Sequence, residues 1–212
     1  MSDAQLPGLV LAGGLSRRMG GGDKCLRPFA SATILDRILA RLRPQVSSIA
    51  INANGDAARF ARFGLPVLAD TVEGFAGPLA GILAGMRWAA AAQPSATHML
   101  SVASDAPFFP ADLAARLLSG ASAAGTPLAC AASAGQAHPV FGLWPVALAD
   151  DLERAMREEG LRKVDAWTSR HGCAEIGFPL AGGIDPFFNV NRPDDLAAAE
   201  ALLREGDGQR PA

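Results

Sequence analysis

The chain is poor in cysteine, in uninterrupted apolar stretches and in surplus charge, and each shortage excludes a class of protein. Its three cysteines, Cys25, Cys130 and Cys173, are odd in number and far apart in sequence. That spacing matches neither a disulfide framework nor a zinc site, and it suits a reducing compartment, so a cytoplasmic location is expected. Cys130 and Cys173 read as small buried apolar residues; Cys25, beside Lys24, reads as a thiol in a charged setting. No apolar run is long enough to span a bilayer. The opening MSDAQLPG has no basic region leading into an apolar one, so neither a membrane segment nor a secretion signal is expected. Lys and Arg number 19 against 21 Asp and Glu, a net charge of -2. Without clustered basic charge, no nucleic-acid partner is expected.

What is present is a chain of 212 residues, half of them apolar, enough for one α/β domain with a full core. Short apolar runs read as strands: Leu9–Ala12, Ile49–Asn52, Leu65–Ala69, His98–Ala103 and Pro127–Ala132. Helical spacing falls between them, in Thr33–Pro44, Asp56–Phe63, Pro78–Ala92 and Pro110–Leu118. This alternation predicts a doubly wound, three-layer α/β/α fold with a largely parallel sheet. The second half is less regular: HPVFGLWP (His138–Pro145) reads as a strand, ALADDLERAMREE and KVDAWTSR as helices, CAEIGF as extended, FFNVN (Phe187–Asn191) as a last strand, and RPDDLAAAEALLRE as a helix. Residues 1–205 are expected to form a single domain, and 206–212 a disordered tail.

The stretch LVLAGGLSRRMGGGDK, Leu9–Lys24, carries the first chemical signal. A strand ends in a glycine-rich loop whose main-chain N–H groups can turn inward as an anion cradle, with Arg17, Arg18 and Lys24 adding positive charge. The ligand this suits is a nucleotide polyphosphate. Two familiar phosphate loops do not fit: Lys24 follows Asp23 and precedes Cys25 rather than Ser or Thr, and Gly13-Gly14-Leu15 breaks the GxGxxG spacing. Other strands deliver polar residues where a parallel sheet would bind ligand: Asn52 and Asn54 after IAIN, Asp70 after LPVLA, and Asp105 after MLSVAS. A carboxylate placed like Asp105 suits Mg²⁺ held between phosphate oxygens.

These residues resemble the molybdenum cofactor guanylyltransferases, the MobA family. LAGGLSRRMGGGDK is similar to that family's opening signature. INAN (Ile51–Asn54), LAD (Leu68–Asp70), GPLAG (Gly77–Gly81), SDAPF (Ser104–Phe108), HPV (His138–Val140) and NVNRPDDL (Asn189–Leu196) follow in family order across nearly the whole chain. The resemblance implies a Rossmann-like nucleotidyltransferase fold and transfer of GMP from GTP to the terminal phosphate of molybdopterin cofactor. It implies that Leu11, Ala12, Gly13 and Gly14 line the GTP site, with Asn52 and Asp70 completing recognition. Lys24 and Arg18 would contact phosphates, and Asp105 would bind Mg²⁺. His138, Asn189 and Asn191 would face molybdopterin, with one asparagine's share in the metal left open. Because the attacking group would already be an anionic phosphate, no strong general base is required.

Two departures from the family pattern stand out: Gly20-Gly21-Gly22 ahead of Asp23, and Arg192 where a small polar residue is common. His98 and His171 read as structural or exposed, and Trp88, Trp144 and Trp167 as packing residues. Arg162 and Lys163 read as a charged helix start, and Glu73 and Phe75 as part of a loop near the nucleotide. Molybdoenzymes or their chaperones are candidate partners. Alternatives left open are a cytidylyltransferase acting on the same cofactor, a non-catalytic GTP-binding regulatory module, and a sugar-1-phosphate nucleotidyltransferase. The Ala12-Gly13-Gly14 triplet favours GTP over CTP.

Overall fold

Leu9 and Val10 are both fully buried, yet they belong to two different hydrophobic clusters. Successive residues of a strand point to opposite faces, so an apolar run buried throughout requires a sheet covered on both sides. A computed structural model describes residues 6–13, 23–29, 31–72, 74, 77–180, 184–190 and 195. The chain runs β1 (Pro7–Leu11), β2 (Pro28–Phe29), β3 (Ala32–Thr33), α1 (Ile34–Leu42), β4 (Ser48–Asn52), β5 (Val67–Leu68), α2 (Pro78–Ala92), β6 (His98–Ala103), α3 (Leu113–Ala124), β7 (Leu128–Ser133), β8 (Gln136–Pro145), α4 (Ala149–Glu158), α5 (Val164–His171) and β9 (Cys173–Gly177). The main sheet has seven strands in the order β5-β4-β1-β6-β8-β7-β9, and β2 pairs with β3 apart from it. Helices α1 and α3 pack on one face, and α2, α4 and α5 on the other. This is the expected three-layer α/β/α arrangement. No helix among the described residues is long and apolar enough to cross a membrane.

Local chemistry explains the helix positions. Helix α1 opens on a capping box: the Thr33 hydroxyl accepts from the Asp36 amide, while the Asp36 carboxylate accepts from the Thr33 amide. Helix α2 begins at Pro78, where no N–H is needed, and reaches the sheet through two glycines. A Cβ on Gly81 would lie 2.2 Å from Asn52 Oδ1 and 2.7 Å from a Leu11 methyl. One on Gly85 would lie 2.5 Å from a Leu9 methyl and 2.7 Å from the Met99 sulfur. The helix therefore rests directly on β1, β4 and β6.

Several expectations need correction. Strand β8 runs antiparallel to both neighbours, because β7 turns into it through Ala134 and Gly135, both at positive φ as a two-residue hairpin requires. The stretch expected as a strand at Phe187–Asn191 is a turn followed by irregular chain over its described residues: Phe188 N–H donates to Asp185 C=O, and the buried Phe187 and Val190 are three apart rather than two. Helix α3 starts after a turn at Ala111–Asp112 and runs on past Leu118, since Gly120 is a close-contact residue against Ile176 and not a helix end. The segment at Asp56–Phe63 winds as a 3-10 helix, Ala57–Phe63. Cys130 and Cys173, distant in sequence, lie on the neighbouring strands β7 and β9 as free thiols. Trp144 and Trp167 are buried and stacked, and the half-buried Trp88 packs against the same cluster, so all three are packing residues as expected. The expected C-terminal helix beyond Asp195 and the tail 206–212 lie outside the described residues, as do Glu73 and Phe75.

Candidate active site

Four parallel strands end level with one another. Leu11 pairs with Asn52 on one side and Ala103 on the other, and Asn52 pairs with Leu68. Three main-chain bonds carry the ladder one step further, from Ala12 to Asn52, Ala53 to Leu68 and Ser104 to Leu11. The next residues therefore emerge side by side at the carboxyl edge: Ala12–Gly13, Asn54, Asp70 and Asp105. Gly13 is exposed there, and Ala12 is buried with its main chain in the ladder.

Asn52 and Asp70 form one unit. The buried Asn52 amide donates to Leu68 C=O at 3.1 Å and to Asp70 Oδ1 at 2.9 Å. Asn54 donates to Asp70 Oδ2 at 2.7 Å and accepts from the Asp70 amide at 2.8 Å. Asp70 is thus held rigidly, and its carboxylate keeps lone pairs for a further donor.

Lys24 and Asp105 also meet. Lys24 Nζ donates to Asp105 Oδ2 at 3.1 Å, with the side chains 13% and 29% exposed. A cation and a hard carboxylate thus meet at the carboxyl edge of the sheet, a pairing that suits a polyphosphate with a divalent ion. The Asp105 loop is fixed at several points: Val190 N–H donates to Asp105 C=O at 2.8 Å, Arg41 Nε to Phe109 C=O at 2.7 Å, and Gln45 to Pro110 C=O at 3.2 Å. The Lys24 side is tied down by Arg59. That guanidinium pairs with Asp23 and donates to the carbonyls of Asn54 and Asp56, joining the loop exit to the Asn54 turn. Cys25, beside Lys24, is buried, and burial pushes its thiol up to about 12, so it is not a nucleophile.

The same edge continues past β6. The antiparallel direction of β8 brings its first residues beside the ends of β6 and β7, and with them His138. His138 Nε2 lies 2.7 Å from Ser133 Oγ and 3.8 Å from Asp185, and its ring sits 4.7 Å from that of Phe187. Burial holds the His138 imidazole below its usual range, with the Asp185 charge acting in the opposite sense. Asn189 is exposed on the segment tied to both Asp185 and Asp105.

The described sequence candidates therefore converge on one edge, from Leu11, Ala12, Gly13, Asn52 and Asp70, through Lys24 and Asp105, to His138 and Asn189. Gly14, Arg18 and Asn191 lie outside the described residues, as do Arg17, Gly20–Gly22 and Arg192. His98 and His171 make structural bonds, to Pro127 C=O and Asp151 respectively. Sequence reasoning missed Arg59, Ser133 and Asp185. Arg59 carried no motif; Ser133 precedes a tight turn, and Asp185 stands four residues before Asn189, the only hints of either.

Level polar strand ends and a Lys–Asp pair gather at one edge of an α/β/α sheet, and residues 8–172 match the MobA-like NTP transferase domain family, which makes the chain a nucleotidyltransferase. A molybdenum cofactor guanylyltransferase of Bradyrhizobium sp. is 54% identical over 202 residues, covering 95% of each chain. The chain belongs to the molybdenum cofactor guanylyltransferases. Its fold is also that of molybdopterin-guanine dinucleotide biosynthesis protein A from Archaeoglobus fulgidus, at a TM-score of 0.73 and 22% identity over 94% of this chain and all of that one. A Mycobacterium tuberculosis protein, Rv0371c, solved in complex with manganese, shares the fold at a TM-score of 0.64 and 21% identity, covering 93% of this chain and 98% of that one.

Proposed function

We propose that this chain transfers GMP from GTP to the terminal phosphate of molybdopterin cofactor, releasing pyrophosphate. The observation that carries this reading is the single edge on which Asn52–Asp70, Lys24–Asp105 and His138–Asn189 follow one another. The first pair, with the main chain of Leu11, Ala12, Gly13 and Gly14, would hold the guanosine. Lys24 and Arg18 would take the phosphates. His138, Asn189 and Asn191 would hold the acceptor.

Mg²⁺ fits this donor set in one particular way. Among the described residues no group of three metal-ligating side chains occurs. Asp105 is the carboxylate beside Lys24, so the ion would be held by Asp105 together with phosphate oxygens, a mode usual for Mg²⁺. When bound, the ion would neutralise charge growing on the α-phosphoryl oxygens and the leaving pyrophosphate. Lys24 would release Asp105 and turn to the phosphates, remaining the fixed cation of the site. An acceptor phosphate oxygen forms the new bond to the α-phosphorus; the bond from that phosphorus to the bridging oxygen breaks, and its electron pair leaves with pyrophosphate. Orientation of two polyanions does most of the work, and one preorganised charge contact is worth about 3–4 kcal/mol in such sites. The reaction would run in the cytoplasm, a reducing compartment that a chain with three scattered cysteines suits.

Pyrophosphate release is measured with molybdopterin, Mg²⁺ and either GTP or CTP. GTP-dependent release is expected, and Asp105→Ala should abolish it while the protein stays folded. Preference for CTP would make the enzyme a cytidylyltransferase. Tight GTP binding without release would make it a regulatory module, and near-normal release by Asp105→Ala would remove that residue from the mechanism.

A further inference from the structure

Ser133 is the last residue of β7 and only 3% exposed, so its hydroxyl must be satisfied by protein. Its Oγ lies 2.7 Å from His138 Nε2 and 2.7 Å from Asp185 Oδ1. A hydroxyl carries one proton, and an ionised carboxylate only accepts. The Ser133 proton therefore goes to Asp185, and His138 Nε2 must carry the hydrogen that fills the Ser133 lone pair. This fixes the tautomer and leaves Nδ1 of the neutral ring as a lone-pair acceptor. Nδ1 has no hydrogen-bond partner in the protein among the described residues.

The backbone is shaped to the same end. Strand β8 pairs His138 with Ala131, then breaks register and resumes at Gly142 with Cys130, and Pro139 in the gap has no N–H to give. Such a bulge re-aims the side chain beside it. Asp185 Oδ1 also accepts from Phe187 N–H at 2.9 Å. The buried Phe187 ring packs against His138, Phe141 and Phe178. One carboxylate thus organises both the His138 tautomer and the segment that presents Asn189.

We propose that Asp185 and Ser133 are positioning residues for acceptor binding: through Ser133, Asp185 holds His138 in the Nε2–H form, so that Nδ1 accepts a hydrogen bond from an N–H of the heteroaromatic acceptor. The kinetic consequence rests on the guanylyl-transfer reading; the tautomer does not.

Imidazole ¹⁵N spectra of the free protein above neutral pH test the first part, with His98→Gln and His171→Gln assigning the three rings. The wild type should show His138 as the Nε2–H tautomer. Ser133→Ala and Asp185→Asn should mix the tautomers, and Ser133→Thr should restore the single form. In turnover, Ser133→Ala should raise KM for molybdopterin about tenfold, the loss of one well-placed hydrogen bond, with the Kd for GTP unchanged. Ser133→Thr should recover most of that loss. A wild-type Nδ1–H tautomer, or one unmoved in both Ser133→Ala and Asp185→Asn, overturns the relay. A tautomer shift with an unchanged molybdopterin KM overturns its role in acceptor binding. Absence of any wild-type pyrophosphate release would instead strike the reaction itself, leaving the spectra to decide the relay.

Discussion

Replacing Gly81 by alanine puts a methyl where α2 meets the edge proposed for the nucleotide, and the structure gives the cost. The new Cβ would stand 2.2 Å from Asn52 Oδ1, an atom with little room to retreat because its amide is bonded to Leu68 and Asp70. Alanine gains about 1 kcal/mol over glycine in a helix interior. Against this, overpacking costs about 1–3 kcal/mol, and moving the Asn52 amide forfeits two hydrogen bonds at about 1 kcal/mol each. The net loss is about 2–4 kcal/mol, and at about 2–4 °C per kcal/mol the melting temperature should fall by about 4–16 °C. Gly85→Ala is the control. Its Cβ meets a leucine methyl and a methionine sulfur, ends of side chains that can shift, so the net cost should be about 1 kcal/mol or less. Calorimetry would give both stabilities and titration with GTP both affinities. Only Gly81→Ala should weaken GTP, by about tenfold, because only it dislodges the Asn52–Asp70 unit. Equal GTP affinities for the two variants, with Gly81→Ala melting like wild type, would refute the argument.

Arg59→Ala should release Asp23, beside Lys24, and raise KM for GTP about fivefold with the acceptor KM unchanged; an unaltered GTP value in steady-state assays would show that the loop is held otherwise. His138 and His98 are both kept below the usual imidazole range, chiefly by burial. Below about pH 6.5 the unfolded chain therefore binds more protons than the folded one, and stability should fall as pH drops through that value towards the folded pKa values. Urea midpoints between pH 7 and 5 should show the fall, shallower in His138→Gln; midpoints rising towards acid would contradict it. The neighbouring Cys130 thiol holds Cys173 below the usual range, Cys130 is itself pushed up by that neighbour and by burial, and burial holds Cys25 at about 12. Iodoacetamide at pH 8 should therefore label Cys173 first by peptide mapping, and prior labelling of Cys25 would be the contrary result.

The convergence of Asn52, Asp70 and Asp105 on one edge was legible because it is written locally. Each of Asn52, Asp70 and Asp105 directly follows an apolar run, and parallel strands of matched length bring such ends together whatever lies between. The edge proposed for the acceptor was legible only in part. The β7–β8 hairpin hides behind Ala134-Gly135, a turn pair less telling than Asn-Gly, so β8 read as a strand without a direction. The short stretch at Phe187 imitates a strand in composition, but its register is dictated by Asp185 and by three aromatic partners far away in sequence. Arg59, with contacts 36 residues from Asp23, has no local pattern to betray it. Contacts between distant side chains are what propensity and spacing do not encode.

The bond from Val190 N–H to Asp105 C=O ties the edge proposed for the nucleotide to the edge proposed for the acceptor. Everything proposed for the donor nucleotide comes from the chain up to Asp105, and everything proposed for the acceptor from Ser133 onward, with α3 as the spacer. A chimaera crossing over within α3 should then swap one specificity while keeping the other. Base preference and acceptor preference could drift independently in evolution, provided that the seam at Asp105 is kept.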